Sequence, residues 1–93
     1  MQRYLVMTLR TPQFDPAVIE PHYAHLDRLR ERGLLELFGP FTDKSGGAYV
    51  IRARNLDEAR AIAYSDPVHV SGSSRVTVYE WNAKEVLDTD THG

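Results

Sequence analysis

Two side chains that can transfer protons stand where the folded chain could bring them together. His22 lies near the start of the first predicted helix, and Asp66 lies at the end of the second, in the dipeptide Asp66-Pro67. An imidazole beside a carboxylate is a common arrangement for general acid/base chemistry near neutral pH. The pair therefore predicts a catalytic site in which His22 moves a proton and Asp66 orients the ring. The same pair could instead be a structural hydrogen bond between two helix ends.

The apolar pattern predicts a chain that alternates strands and helices in the order β-α-β-β-α-β. Gly33 stands where a left-handed residue ends the first helix, and Pro67 disfavours helix at Asp66, where the second should end. Asp15 is placed to cap a short turn that Pro16 begins. The predicted strands are residues 3–9, 34–41, 48–54 and 75–81, and the predicted helices are residues 20–32 and 55–66.

This order predicts a ferredoxin-like α+β fold, with a four-stranded antiparallel sheet and two helices on one face. The helices run antiparallel in that fold, so the start of the first lies beside the end of the second. That geometry is the reason to expect His22 and Asp66 to meet. The first strand is apolar on both faces, and the two helices cover only one. A second copy of the chain is therefore predicted to cover the other, giving a dimeric α/β barrel.

Length and composition limit the organisation and the partners. The chain of 93 residues is read as one domain over residues 1–82 with a polar tail at 83–93, and it has no cysteine for a disulfide. A net charge of −2 argues against a nucleic-acid partner. The apolar runs are too short for a membrane span, and no signal-peptide pattern is present, so a cytoplasmic location is predicted.

Several side chains near the predicted site could bind a substrate. Tyr23, Tyr64 and Phe14 could form a wall for a planar ring, although such aromatic residues more often belong to the core. Ser65, next to Asp66, could donate a hydrogen bond to a substrate oxygen. These four residues are the predicted substrate-binding set.

Metal and cofactor sites are weaker interpretations of the same region. His22, His25 and His69 could join Asp66 around a transition metal, but their spacing matches no recognised motif, so no metal is predicted. Gly46-Gly47 lacks the flanking residues of a phosphate loop and is interpreted as part of a turn. No nucleotide, flavin or haem motif is present, and no cofactor is predicted.

The chain resembles the YciI-like (YCII-related) family from about residue 4 to residue 81. The resemblance rests on the motifs His22-x3-Leu26-x2-Leu29-x3-Gly33-x5-Gly39-Pro40, Gly46-Gly47, Asn55-Leu56-Asp57-Glu58-Ala59, and Asp66-Pro67 with Gly72 after it. It implies a dimeric ferredoxin-like barrel in which His22 and Asp66 occupy the positions of a His–Asp active site. His25 does not match the family histidine. One relative acts as a dehydrochlorinase on a chlorinated hydroxyhydroquinone.

Three functions remain open from the sequence. The first is a cofactor-independent enzyme that abstracts a proton, with elimination or isomerisation of a small cyclic molecule. The second is a non-catalytic small-molecule-binding or regulatory module, because one fold serves many functions. The third and weakest is a cofactor-free oxygenase, which oxygen consumption with a quinol would reveal.

Overall fold

Eight short elements follow one another in the computed structural model, which describes residues 1–87. The predicted order is confirmed, with one short helix added between the second helix and the last strand. Residues 83–87 have no regular secondary structure, and the rest of the predicted tail, 88–93, lies outside the described residues. The elements are β1 (Gln2–Arg10), a 3-10 turn (Pro16–Val18), α1 (Ile19–Glu31), β2 (Leu35–Pro40), β3 (Gly46–Ala53), α2 (Leu56–Tyr64), α3 (Pro67–Val70) and β4 (Ser74–Glu80).

The four strands form one antiparallel sheet in the order β2-β3-β1-β4. In the centre, Tyr4 of β1 lies opposite Ile51 of β3 and Glu80 of β4. The predicted ferredoxin-like α+β fold is therefore confirmed. Because β1 and β3 are the inner strands, side chains on them reach the middle of the sheet, where the helices pack.

The core lies between the sheet and the two long helices. The alternating β1 residues Tyr4 and Val6 are fully buried, as expected for one face of a strand with a period of two. They pack in one cluster with Leu26 of α1 and with Ala59 and Ala63 of α2. The two alanines have small side chains, which allow α2 to approach the sheet closely.

Local signals place the ends of the helices. The Asp15 carboxylate accepts a hydrogen bond from Ala17 N at 2.9 Å and caps the turn before α1. The Asn55 side chain accepts from Glu58 N at 2.8 Å and caps α2. Gly33 follows α1 with φ of 72°, a left-handed conformation that glycine adopts without steric cost.

The third strand begins two residues earlier than predicted, because Gly46 and Gly47 belong to β3 rather than to the turn. They lie opposite Leu9 and Thr8 of β1. A Cβ atom on Gly46 would lie 1.9 Å from the backbone oxygen of Thr8. Only glycine permits this approach, so the pair marks close strand contact as well as a change of direction.

The sheet face opposite the helices carries a row of apolar side chains, one from each strand. Leu37 lies opposite Val50, Val50 opposite Leu5, and Leu5 opposite Tyr79. The two outer members are 63% exposed at Leu37 and 51% exposed at Tyr79. No helix of the described residues covers this row.

Candidate active site

The structure brings His22 and Asp66 into direct contact. His22 lies in the first turn of α1, and Asp66 lies in the connection from α2 to α3. The ring nitrogen Nδ1 of His22 is 2.9 Å from Oδ1 and 2.8 Å from Oδ2 of Asp66. The histidine side chain is 16% exposed, whereas the aspartate side chain is fully buried. The catalytic role of the pair stays a prediction at this point.

Asp66 is held in place by its own backbone and by a neighbouring strand. Its Oδ1 accepts a hydrogen bond from Val68 N at 3.0 Å and so caps the short helix α3. Pro67 fills the first helical position, where a missing N–H has no consequence. Oδ2 of Asp66 accepts a hydrogen bond from the Tyr49 hydroxyl at 3.2 Å. Three donors therefore converge on one buried carboxylate, and buried charge is tolerated only with such partners.

Tyr49 is a member of this network that sequence analysis missed. It was interpreted as a residue of a central strand, where a tyrosine and a purely apolar residue give the same pattern. Burial raises the pKa of the Tyr49 phenol well above its usual range, and the charge and hydrogen bond of Asp66 act in the same direction. The phenol therefore stays protonated and acts as a donor to Asp66.

The contact with Asp66 determines which nitrogen of His22 is available. A carboxylate can only accept hydrogen bonds, so Nδ1 carries the hydrogen and donates it. In the neutral ring the other nitrogen, Nε2, then holds a free electron pair. Nε2 makes no hydrogen bond with residues 1–87. His22 is thus arranged to take up a proton through Nε2.

A cavity of about 110 Å³ opens beside His22. For comparison, an engineered protein cavity of about 150 Å³ binds benzene, so a single ring is the size that this space suits. The rim and walls come from the ends of β1, β2 and β3 and from the first turns of α1. The charged and aromatic side chains that line it belong to Arg10, Phe14, His22, Tyr23, Phe38 and Tyr49.

Two of the four predicted substrate-binding residues line this cavity. Tyr23 and Phe14 belong to its wall. The Tyr23 ring lies 5.3 Å from the ring of His22 and meets Phe38 edge-on at 6.2 Å. Phe38, on β2, was not predicted as a site residue, because the pattern of residues 34–41 predicted only a strand and not which way its side chains face.

The other two predicted residues, Tyr64 and Ser65, do not line the cavity. Tyr64 stacks on His69 with ring centroids 4.6 Å apart. The Ser65 hydroxyl donates a hydrogen bond to Ile62 O at 2.7 Å, within the last turn of α2. Tyr64 and Ser65 are close to Asp66 in the sequence but do not reach the cavity, because α2 ends at Tyr64 and the Asp66 side chain points toward α1.

The remaining histidines do not gather around Asp66 as a metal site. His69 donates from Nδ1 to Tyr64 O at 3.0 Å on an exposed surface. His25 is only 6% exposed, and its Nε2 has no hydrogen-bond partner among residues 1–87. Burial lowers the pKa of His25, opposed by the charge of Asp66 and reinforced by Arg28 and His22. Within residues 1–87, no three His, Cys, Asp or Glu side chains lie close enough to hold a metal ion.

Comparison with known proteins agrees with this architecture. The model of the YCII-related domain matches residues 3–82. The chain belongs to the YCII-related family. Among its relatives is the uncharacterised protein YjpA of Bacillus subtilis (strain 168), which is 47% identical over 85 residues, or 91% of this chain and 100% of YjpA. The family assignment made from the sequence is confirmed.

A solved structure of similar fold is 5-chloro-2-hydroxyhydroquinone dehydrochlorinase (TftG) from Burkholderia phenoliruptrix AC1100, in complex with 2,5-dihydroxybenzoquinone. The two chains are 20% identical with a TM-score of 0.66, and the match covers 88% of this chain and 95% of the other. At that identity the likeness shows a common fold. None of the helices in residues 1–87 is long and apolar enough to cross a membrane. The cytoplasmic location and the lack of a nucleic-acid partner stay predictions.

Proposed function

We propose that this member of the YCII-related family is a cofactor-independent enzyme, in which His22 is the general acid/base and Asp66 its orienting partner. The observation that carries the proposal is the position of His22. One ring nitrogen is bound to a buried carboxylate, and the ring borders a cavity. A histidine that served only to join two helix ends would not need to line a cavity.

The reaction class follows from the state of the ring. Nε2 of neutral His22 takes a proton from a hydroxyl or C–H group of the substrate, and Asp66 stabilises the imidazolium that results. The electron pair left on the substrate forms a new double bond. In an elimination the bond to the leaving group breaks at the same time, and in an isomerisation an existing double bond moves and another atom of the substrate takes up the proton. His22 then returns its proton to water or to the isomerised substrate, so the ring is regenerated.

The size and lining of the cavity support a small cyclic substrate. Aromatic walls formed by Tyr23, Phe38 and Phe14 suit the faces and edges of a planar ring. The similarly folded TftG is a dehydrochlorinase of a chlorinated hydroxyhydroquinone. Elimination of a halide from a hydroxylated ring is therefore the first reaction to test in this chain.

A homodimer is part of the proposal. The apolar row formed by Leu37, Val50, Leu5 and Tyr79 spans all four strands, and a second copy could cover it face to face. A chain of 93 residues whose helices cover only one face of the sheet buries too little of its own surface for high stability. The aligned exposed side chains at the two edges of the row favour a symmetric partner.

The catalytic proposal is tested by chloride release from 5-chloro-2-hydroxyhydroquinone under argon, since hydroquinones oxidise in air. The wild type should release chloride, and His22→Ala should lower the rate by about 10²–10⁴-fold, the range for loss of a general base. His69→Ala is the matched control, because His69 lies outside the cavity and should leave the rate unchanged.

Three results would contradict the mechanism. Turnover that survives His22→Ala in a folded protein would remove His22 from the chemistry. Binding of the ring without turnover, for this substrate and a panel of halogenated and hydroxylated rings, would favour the non-catalytic binding module. Oxygen uptake with the unchlorinated quinol that exceeds the autoxidation rate of the quinol without protein, measured with an electrode, would instead favour the oxygenase.

A further inference from the structure

Arg10 places a positive charge at the mouth of the cavity. It is the last residue of β1 and lines the cavity together with His22. Its backbone N donates to Ser45 O at 2.9 Å, which ties the strand end to the β2–β3 connection. Its guanidinium carbon lies 4.1 Å from the centroid of the Phe14 ring, a cation–π contact that holds the side chain over the wall.

No carboxylate neutralises this guanidinium within residues 1–87. Three other arginines on the sheet and its flanks are paired, Arg3 and Arg52 with Glu36 and Arg54 with Glu58, whereas Arg75 on β4 is exposed, without a salt bridge in that part of the chain, and outside the cavity. Arg10 forms no such pair in that part of the chain, and no Asp or Glu lines the cavity. Within residues 1–87 Arg32 is also without a salt bridge and lines a pocket, but that pocket contains Glu58 and no aromatic side chain, whereas the cavity at Arg10 contains aromatic side chains and no carboxylate.

We infer that the cavity binds a planar, single-ring anion whose charged oxygen, a carboxylate or a ring enolate, is held by Arg10. A guanidinium presents a rigid fork of N–H donors that matches such oxygens and keeps its charge at any working pH. The aromatic wall takes the ring, and Arg10 takes the charge. This inference rests on the proposed function, since it specifies the substrate of the same cavity.

The position of Arg10 also has a consequence for the chemistry. When His22 removes a proton, negative charge develops on the substrate ring. A cation that lines the same cavity, held by its contact with Phe14, stabilises that charge, as preorganised donors do for developing oxyanions. Arg10 would then act on both binding and the transition state, whereas Asp66 acts through His22.

The experiment measures binding alone, so its outcome is separate from the turnover test. Benzoate, 4-nitrophenolate and the neutral isostere benzamide are titrated at about pH 8.5, and the backbone amides of Gly47 and Ala48 in the cavity wall are followed by NMR. In the wild type at least one of the two anions should bind 10-fold or more tightly than benzamide. The preferred anion tells a carboxylate from an enolate ligand.

Arg10→Gln should reduce that preference to within about threefold of parity. Arg60→Gln removes the same charge from the exposed face of α2, away from the cavity, and should leave the preference intact. Arg10→Lys should keep the preference in weaker form, because a lysine keeps the charge without the fork. The dispersion of the amide spectrum shows directly whether each variant is folded.

The inference is overturned if anions and benzamide bind equally, if the preference survives Arg10→Gln, or if no probe shifts the cavity amides. Chloride release that depends on His22 would leave the proposed function standing in each of these cases. Conversely, an anion site that depends on Arg10 in a protein without turnover would keep this inference as a binding property and remove the enzyme.

Discussion

Replacing Tyr49 with Phe removes one hydroxyl from the buried network and leaves the ring in place. That hydroxyl donates to Asp66 at 3.2 Å, and Tyr49 is only 1% exposed. A hydrogen bond to a charged group contributes about 1.5–3 kcal/mol. The length of this one places it at the low end, and phenylalanine also avoids the desolvation of a buried hydroxyl. The expected loss of unfolding free energy is about 1–2 kcal/mol, which lowers Tm by roughly 4–16 °C in a domain of this size.

Tyr4→Phe is the matched control for this prediction. Tyr4 is fully buried on the adjacent strand, but its hydroxyl lies 3.5 Å from Glu80, too far for a strong hydrogen bond. Its loss should cost less than about 0.5 kcal/mol. Urea unfolding followed by circular dichroism gives both values at one protein concentration, which matters if the chain dimerises.

A double-mutant cycle with Asp66→Asn isolates the contact itself. In the Asp66→Asn background, Tyr49→Phe should cost about 1 kcal/mol less than in the wild type, because the charged acceptor is gone. The reasoning is refuted if Tyr49→Phe costs no more than Tyr4→Phe. It is also refuted if the cycle shows no coupling between Tyr49 and Asp66.

Three further predictions address the rest of the fold. Burial lowers the pKa of His25, so on acidification the unfolded chain binds a proton at this residue before the folded chain does. The free energy of unfolding should therefore fall as the pH drops below about 6.5. His25→Phe should make the urea midpoints at about pH 7.5 and about pH 5 more alike than in the wild type. Gly46→Ala should cost about 2–3 kcal/mol by overpacking against Thr8 O, whereas Gly39→Ala, whose Cβ meets nothing within 4 Å, should cost under about 1 kcal/mol in the same assay. Leu37→Glu should convert the proposed dimer to a monomer in light scattering, and Val70→Glu, which is also exposed but lies off the sheet, should not.

Each of these has a contradicting outcome. An acid profile of His25→Phe that is parallel to the wild type would assign the pH dependence to other groups. Equal costs for the two glycine variants would mean that the β1–β3 approach relaxes easily. A wild type that is monomeric at all concentrations would remove the proposed homodimer.

The sequence predicted the meeting of His22 and Asp66 because that meeting depends on topology. The β-α-β-β-α-β order sets two antiparallel helices side by side, and Pro67 keeps Asp66 out of the helix: α2 ends at Tyr64, two residues before the predicted end, and Asp66 caps α3. Neither inference needs the direction of a side chain. The cap at Asp15 was predictable for a similar reason, since it depends on residue types that are adjacent in the chain.

The composition of the network and the cavity depended on side-chain direction across the sheet, which sequence alone did not show. Tyr49 gives the same alternating strand pattern whether or not its hydroxyl meets a buried carboxylate. Arg10 was assigned to a loop, but β1 extends to it and so turns it toward the cavity. Ser65 was chosen for its closeness to Asp66, yet the end of α2 rotates it to its own backbone.

The most direct test of the account is the tautomer of His22, read from long-range ¹H–¹⁵N NMR spectra of the neutral ring. Free histidine in water prefers the hydrogen on Nε2, so the opposite state is diagnostic. In the wild type, Nδ1 is expected to be protonated and Nε2 unprotonated, and this state should be lost in Asp66→Asn. A hydrogen on Nε2 in the wild type would contradict the proposed mechanism, because Nε2 would then have no free electron pair for the substrate.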